Sequence, residues 1–245
     1  MSHFNDGELT LEEIMKIVSL MENPPQAKMV RKALALYEIP DGLEFKWGSN
    51  KELMIVLRHF DNPQVPWELD QMLKIVAGKR SVLEIGSNFG GTLKRMAAVM
   101  PKGSRLVSVD LPCDATPPFL HPLASLKDTC RKIALMGGNV ELLIGDSHDA
   151  DTIEAARKYA PYDFGFIDGD HTYEGAKADW ENYGPMCKIV GFHDIAGDAL
   201  GCATLWRELK ASEQYQYRCE EFISQGPPTM GIGIIYREGL KGVLH

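Results

Sequence analysis

The feature that most constrains this chain is an alternation: from Val82 onward, short apolar runs take turns with helical stretches. SVLEIG precedes a helical stretch from about Thr92 to Met100, and RLVSVD precedes one around Leu123 to Met136. VELLIGD then leads to a stretch from about Asp151 to Tyr159, and YDFGFID to one near Tyr173 to Tyr183, before KIVGFHD. Strands that alternate with helices build βαβ units, whose right-handed crossovers give a mainly parallel sheet covered on both faces. The last third breaks the rhythm. After a helix predicted over about Gly201 to Ala211, YQYRCEEF and GIGIIYRE follow without room for another helix, which predicts an antiparallel hairpin at the sheet edge. The expected fold class is α/β, doubly wound and mainly parallel, closed by a C-terminal hairpin.

Residues 1–65 show no strand pattern and read as an N-terminal helical extension or cap, set before a domain over 66–245. Leu11, Ile14, Met15, Val18 and Met21 recur at helical spacing, and Thr10 with Glu13 forms a capping box. Pro24 and Pro25 end that helix; further helices are predicted over Ala27 to Tyr37 and Asn50 to Phe60. Their apolar faces suit either a cover over the chain's own sheet or a contact with a second copy in a homo-oligomer.

The 245 residues are 44% hydrophobic and 24% charged, enough to bury a full α/β core. A net charge of −8 argues against holding nucleic acid through its phosphates, which needs a clustered basic surface. A small substrate fits better. Five cysteines, Cys113, Cys130, Cys187, Cys202 and Cys219, are odd in number and lack a CxxC pair, so they read as reduced thiols. No stretch has the length of a membrane span and the acidic N-terminus lacks a signal-type apolar core, so a cytoplasmic protein without membrane partners is expected.

Chemistry gathers at the predicted strand ends. Val82 to Thr92 runs from a buried strand through a glycine turn into a helix, the way open α/β sheets build a ligand crevice, with Gly86 expected to let a ligand approach the backbone. Gly86, Gly90 and Gly91 are present, but Asn88 holds the middle place, so the spacing is not the dinucleotide fingerprint GxGxxG. Asp110 closes the next strand, 24 residues after Gly86, where a carboxylate can accept from both hydroxyls of a ribose. Asp146 ends the third strand, beside the expected adenine, with Ser147 offering its backbone or hydroxyl. Helix capping is the ordinary alternative for any one such aspartate.

Two further strands deliver Asp168, Asp170 and His171 in FIDGDH, and His193 and Asp194 in GFHD. Carboxylates with imidazoles suit a divalent cation, magnesium or manganese if oxygen dominates and a softer metal if both histidines bind. Such a metal could acidify a substrate hydroxyl and orient its oxygen for in-line attack. Asp179, further along the following helix, could orient a partner but reads rather as part of a solvated face. Phe45, Trp47, Trp67, Phe89 and Phe119 read as core rather than as a substrate platform, and the Pro-rich loop 111–122 as either a mobile substrate loop or plain connection.

Glu84, Gly86, Gly90, Asp110 and Asp146 resemble the successive nucleoside-binding motifs of class I S-adenosylmethionine-dependent methyltransferases, whose Rossmann-like sheet ends in a similar hairpin. The resemblance implies that the glycine turn with Glu84, Ser87 and Asn88 holds the amino-acid part of the cofactor. It implies ribose contacts from Asp110 beside Leu111, an adenine contact from Asp146 and Ser147, and a place for Asp168 beside the cofactor. DGDHTYEGAKADWENYGP followed by GFHD resembles the metal-dependent O-methyltransferase branch of macrolide-sugar and cephalosporin tailoring enzymes. That branch implies a magnesium site at Asp168, His193 and Asp194, with histidine at the first place of what is otherwise an acidic pair, and His171 as general base. The expected activity is metal-assisted methylation of a small-molecule hydroxyl. Two other readings stay open at this point: a non-catalytic nucleoside-binding or scaffolding module on the same fold, and a nicotinamide-dependent enzyme, disfavoured by the missing GxGxxG.

Overall fold

The computed structural model describes residues 64–111, 122–196, 201–212, 218–225 and 230–237. The helices expected over 10–22, 27–37 and 50–60, Cys113 and nearly all of the loop 111–122 lie outside the described residues.

Helix α1 (Pro66–Val76) opens the described chain, with proline at its first turn, where the missing N–H costs nothing. Its Leu69, Met72, Leu73 and Val76 are buried at helical spacing. Strands and helices then alternate: β1 (Ser81–Ile85), α2 (Gly91–Val99), β2 (Arg105–Asp110), α3 (Pro122–Leu135) and β3 (Asn139–Ile144). They continue with α4 (Ala150–Arg157), β4 (Phe164–Ile167), α5 (Tyr173–Tyr183), β5 (Ile189–His193) and α6 (Gly201–Ala211). Strands β6 (Arg218–Phe222) and β7 (Ile232–Tyr236) close the series.

These strands form one sheet in the order β3-β2-β1-β4-β5-β7-β6. The five strands β1 to β5 pair in parallel, whereas β7 runs antiparallel to β5 and β6 antiparallel to β7. The expected doubly wound sheet with its edge hairpin is therefore present, and the predicted helix limits move by only one or two residues. Strand order reverses direction between β1 and β4, so a crevice opens beyond their carboxyl ends.

Both faces of the sheet are packed, which is why its central strands read as apolar runs rather than alternating ones. On one face Leu83, Ile85 and Val107 pack with Trp180, Tyr183 and Trp206; on the other Val82, Phe164 and Phe166 pack with Met72, Leu93 and Met96. Burying each such side chain stabilises the fold by roughly 1.5–3 kcal/mol relative to exposure. Glu68 of α1 is itself buried and accepts the N–H groups of Ser224 (2.8 Å) and Gly231 (3.0 Å), tying the two ends of the hairpin connection to the first helix. Among the described residues no helix is long and apolar enough to cross a membrane.

Candidate active site

Gly86, at φ +82°, ends β1 in the left-handed region. A Cβ there would lie 2.2 Å from the carbonyl oxygen of Asp168, so the turn after β1 presses on the turn after β4. The Gly86 N–H donates to Val109 O and the Asp168 N–H to Ile85 O, each at 2.9 Å. The missing side chain at Gly86 is thus what lets the two turns meet backbone to backbone.

On the β1–β2 side a chain of polar groups crosses the strand ends. Ser108 Oγ donates to Ser87 Oγ (2.7 Å), and Ser87 Oγ donates to Glu84 Oε2 (2.6 Å). Glu84 is fully buried, and burial pushes its carboxyl up to about 8 against the opposing bond from Ser87. Asn88 adopts φ +50°, which aims its N–H at Asp110 Oδ2, 2.6 Å away. Partial burial raises the Asp110 carboxyl, opposed by the backbone N–H groups of Asn88 and Ser87. Gly90, also left-handed, caps α2; a Cβ there would meet Thr129 of α3 at 2.8 Å. Beyond β3, Asp146 Oδ1 accepts the His148 N–H (2.9 Å), and Ser147 O accepts from the Tyr183 hydroxyl (2.8 Å). Leu111 is exposed beside Asp110.

On the β4–β5 side the turn after β4 is held by local bonds. Asp170 Oδ1 accepts the Thr172 N–H (2.8 Å), Thr172 caps α5 by accepting from Gly175 N–H (3.0 Å), and His171 O accepts from Gly201 at the start of α6 (3.1 Å). This turn presents His171, whose Nδ1 lies 2.8 Å from Asp194 Oδ2. Asp194 follows β5 at φ +57°, a conformation in which aspartate is tolerated better than most residues. His193, the last residue of β5, is buried, with Nδ1 2.8 Å from Asp168 Oδ1 and 3.8 Å from Asp194 Oδ1. The 2.8 Å approach is not aligned as a hydrogen bond, so the attraction is charge on charge. The other oxygen of Asp168 accepts from Gln64 Nε2 at 2.7 Å.

Electrostatics follow from this packing. Burial pulls the His193 imidazole down, but Asp168, Asp194 and Glu68 outweigh it and push the group up to about 9. His171 is raised chiefly by its bond to Asp194, opposed by burial and helped by Asp168. His171 Nε2 lies 3.6 Å from Asp168 Oδ1, and its side chain is 38% exposed. With the Nδ1 proton given to Asp194, Nε2 carries the lone pair, the arrangement of a base with an orienting carboxylate.

The strand ends thus bring Asp168, His171, His193 and Asp194 together, and separately Glu84, Ser87, Asn88 and Asp110. The donor chemistry of the first group does not suit the expected magnesium or manganese. One oxygen of each carboxylate is bonded by Gln64 or His171, and the other faces the His193 ring nitrogen. Among the described residues no group of three or more His, Cys, Asp or Glu is arranged to hold a metal ion. The nucleoside side does fit its expected occupant. Asp110 is partly exposed, with one oxygen held by Asn88, and a carboxylate keeps further acceptor capacity for ribose hydroxyls.

Two site residues escape the sequence pattern. Gln64 precedes α1 between Pro63 and Pro66 and has no periodicity to mark it, yet it reaches Asp168 across 104 positions. Asp179, expected on a solvated face, is instead fully buried, with Oδ1 3.4 Å from His148 Nε2. A Cβ on Gly169 would lie 3.2 Å from its Oδ2, so Asp179 sits beneath the turn after β4. The reason is that α5 buries Ala176, Asp179, Trp180 and Tyr183 on one stripe, and aspartate shares it.

Residues 83–195 match the family model described as a methyltransferase domain. No curated protein sequence matches the chain. Solved structures resemble it at low identity. A TDP-rhamnose 3'-O-methyltransferase of calicheamicin biosynthesis is 18% identical, with a TM-score of 0.53 over 96% of this chain and 97% of that one. An O-methyltransferase from Bacillus cereus, in complex with SAH, is 13% identical, with a TM-score of 0.51 over 93% and 92%. A magnesium protoporphyrin IX methyltransferase from Synechocystis PCC 6803, with SAM bound, is 11% identical, with a TM-score of 0.51 over 95% and 100%. At such identities the likeness concerns the fold. Sheet order and these likenesses agree on the fold: residues 83–195 are similar to a methyltransferase domain, and the sheet has the fold of class I, S-adenosylmethionine-dependent methyltransferases.

Proposed function

We propose that the protein transfers a methyl group from S-adenosylmethionine to a hydroxyl oxygen of a small molecule, with His171 as general base. The observation that carries this reading is the His171–Asp194 pair at 2.8 Å, set at the carboxyl edge of the sheet beside the turn that holds Asp168. Its support from similarity is the methyltransferase-domain match, together with a fold shared with enzymes that methylate oxygen.

Glu84, Gly86, Ser87, Asn88 and Gly90 line the turn that would hold the amino-acid end of the cofactor. Asp110 and Leu111 would meet the ribose, Asp146 and Ser147 the adenine, and Asp168 the region of the sulfonium. Bound there, the cofactor supplies an electrophilic methyl group. The substrate hydroxyl oxygen forms its new bond to that methyl carbon as the carbon–sulfur bond breaks, and the hydroxyl proton passes to His171 Nε2. Asp194 keeps the ring in the required tautomer, and the imidazolium that results is stabilised by both Asp194 and Asp168. No step is routed through a metal, because the carboxylate oxygens that would hold one are engaged.

Calorimetric titration with S-adenosylhomocysteine tests the cofactor. Binding by the wild type that weakens in Asp110→Ala is the expected result, and no binding by the wild type overturns the reading. A labelled-methyl screen against hydroxylated small molecules tests transfer. Binding without transfer to any acceptor would favour a non-catalytic module.

A further inference from the structure

We propose that the side chain of His193 occupies the point between Asp168 and Asp194 at which a divalent cation would otherwise sit, so that this methyltransferase site is complete without a metal. The argument is one of oxygens. Two carboxylates offer four oxygens, and here two are held by hydrogen-bond donors of the chain: Asp168 Oδ2 by Gln64 at 2.7 Å and Asp194 Oδ2 by His171 at 2.8 Å. The remaining pair, Asp168 Oδ1 and Asp194 Oδ1, lie 2.8 and 3.8 Å from a single atom, Nδ1 of His193. Magnesium requires oxygens at about 2.0–2.1 Å in near-octahedral array, and manganese makes similar demands of its ligands. Here the neighbour those two oxygens meet is instead a buried ring nitrogen.

The backbone explains why the ring stays there. His193 is the last residue of β5, paired with Ile232 of β7, so its side chain is fixed by the sheet rather than carried on a loop. Phe166 packs against it at a centroid distance of 6.3 Å, and the His171 ring stands edge-on at the same distance. Withdrawing the His193 ring to admit a cation would open a buried, packed position. His193 is on this account a positioning residue: it holds the two carboxylates in place, and Asp194 in turn orients His171.

Manganese binding followed by electron paramagnetic resonance tests this without any assay of methyl transfer. Wild type should leave the free-ion signal unchanged. His193→Asp replaces the ring with a third carboxylate and should take up about one equivalent, lost again when Asp168→Asn is added. Where His193→Asp fails to fold, as judged by circular dichroism, His193→Ala serves, since it opens the same space without adding charge and should take up manganese more weakly. Stoichiometric uptake by the wild type that disappears in Asp168→Asn overturns the proposal. So does a folded His193 variant that takes up none. The inference rests on the proposed O-methyl transfer only for its catalytic meaning, and titration with S-adenosylhomocysteine in the same samples separates the two: absent nucleoside binding removes the function and leaves the manganese result standing.

Discussion

Asp110 and Asp168 each follow a parallel strand of the same sheet, with β1 between those strands, yet they face opposite kinds of neighbour. Asp110 accepts a backbone N–H from Asn88 and stays partly exposed, so it keeps capacity for a ligand. Asp168 is nearly enclosed and meets two side chains, the Gln64 amide and the His193 imidazole. The first aspartate is held by backbone N–H groups and keeps an exposed face, whereas the second is enclosed by side chains of the chain. A carboxylate at a strand end is therefore only half a description; what the adjacent strand brings beside it decides whether it binds, orients or is neutralised.

The largest expected difference between the two sides is kinetic. His171→Ala should lower methyl transfer by about 10²–10⁴-fold, the usual contribution of a general base, while affinity for S-adenosylhomocysteine stays within experimental error. Single-turnover transfer beside calorimetry checks this. An equal loss in both would mean that His171 belongs to the cofactor side, and the division between the two sides would fail.

Glu84 offers the next effect, this time on stability. Its folded carboxyl is raised to about 8 from 4.5, so its contribution is fully present below the unfolded value and is lost as pH rises through about 8. The uncharged Glu84→Gln should therefore match the wild type near pH 4 and exceed it near pH 8, by on the order of 2–4 kcal/mol. Urea denaturation at several pH values reads this directly. The same variant should bind S-adenosylhomocysteine less well, a buried acid being kept for a ligand at a cost in stability. Asp110→Ala, further along the same polar chain, should weaken that binding by about 1.5–3 kcal/mol, as expected for charge-assisted hydrogen bonds to hydroxyls. If Asp110→Ala leaves affinity intact while Asp168→Asn abolishes it, the assignment of the two sides is reversed.

Legibility in the sequence follows the same division. Alternating apolar runs and helical stretches specify the parallel sheet because strands covered on both faces must be apolar throughout, and the missing helix between YQYRCEEF and GIGIIYRE marks the hairpin. Strand-end residues are legible too, since a strand that ends in Asp110, Asp168 or His193 must deliver it to the same edge. Partners are not legible. Whether His193 faces a metal or a carboxylate depends on ångström-scale placement, and residue types at a given spacing say nothing about which oxygen is already bonded. Gln64 and Asp179 show the same limit from the other direction, because each is ordinary in its local pattern and acquires its place from distant segments.

Asp179 lies where the two sides meet, between His148 after β3 and Gly169 after β4, and carries the smallest of these effects. Burial raises its carboxyl to about 6 from 3.8, with Ser147 and His148 opposing and the acids Asp170 and Asp146 adding to the rise. The stability it contributes is complete below the unfolded value and is lost as pH climbs through about 6. Asp179→Asn removes this dependence but also the attraction to His148, 3.4 Å away, so the two terms partly cancel. The variant should equal the wild type near pH 4 and be more stable by about 1 kcal/mol near pH 8. Thermal or urea unfolding at the two pH values decides it. A variant less stable than the wild type near pH 8 would show that the carboxylate is compensated by its neighbours, and would make the junction of the two sides resemble the enclosed Asp168 rather than the open Asp110.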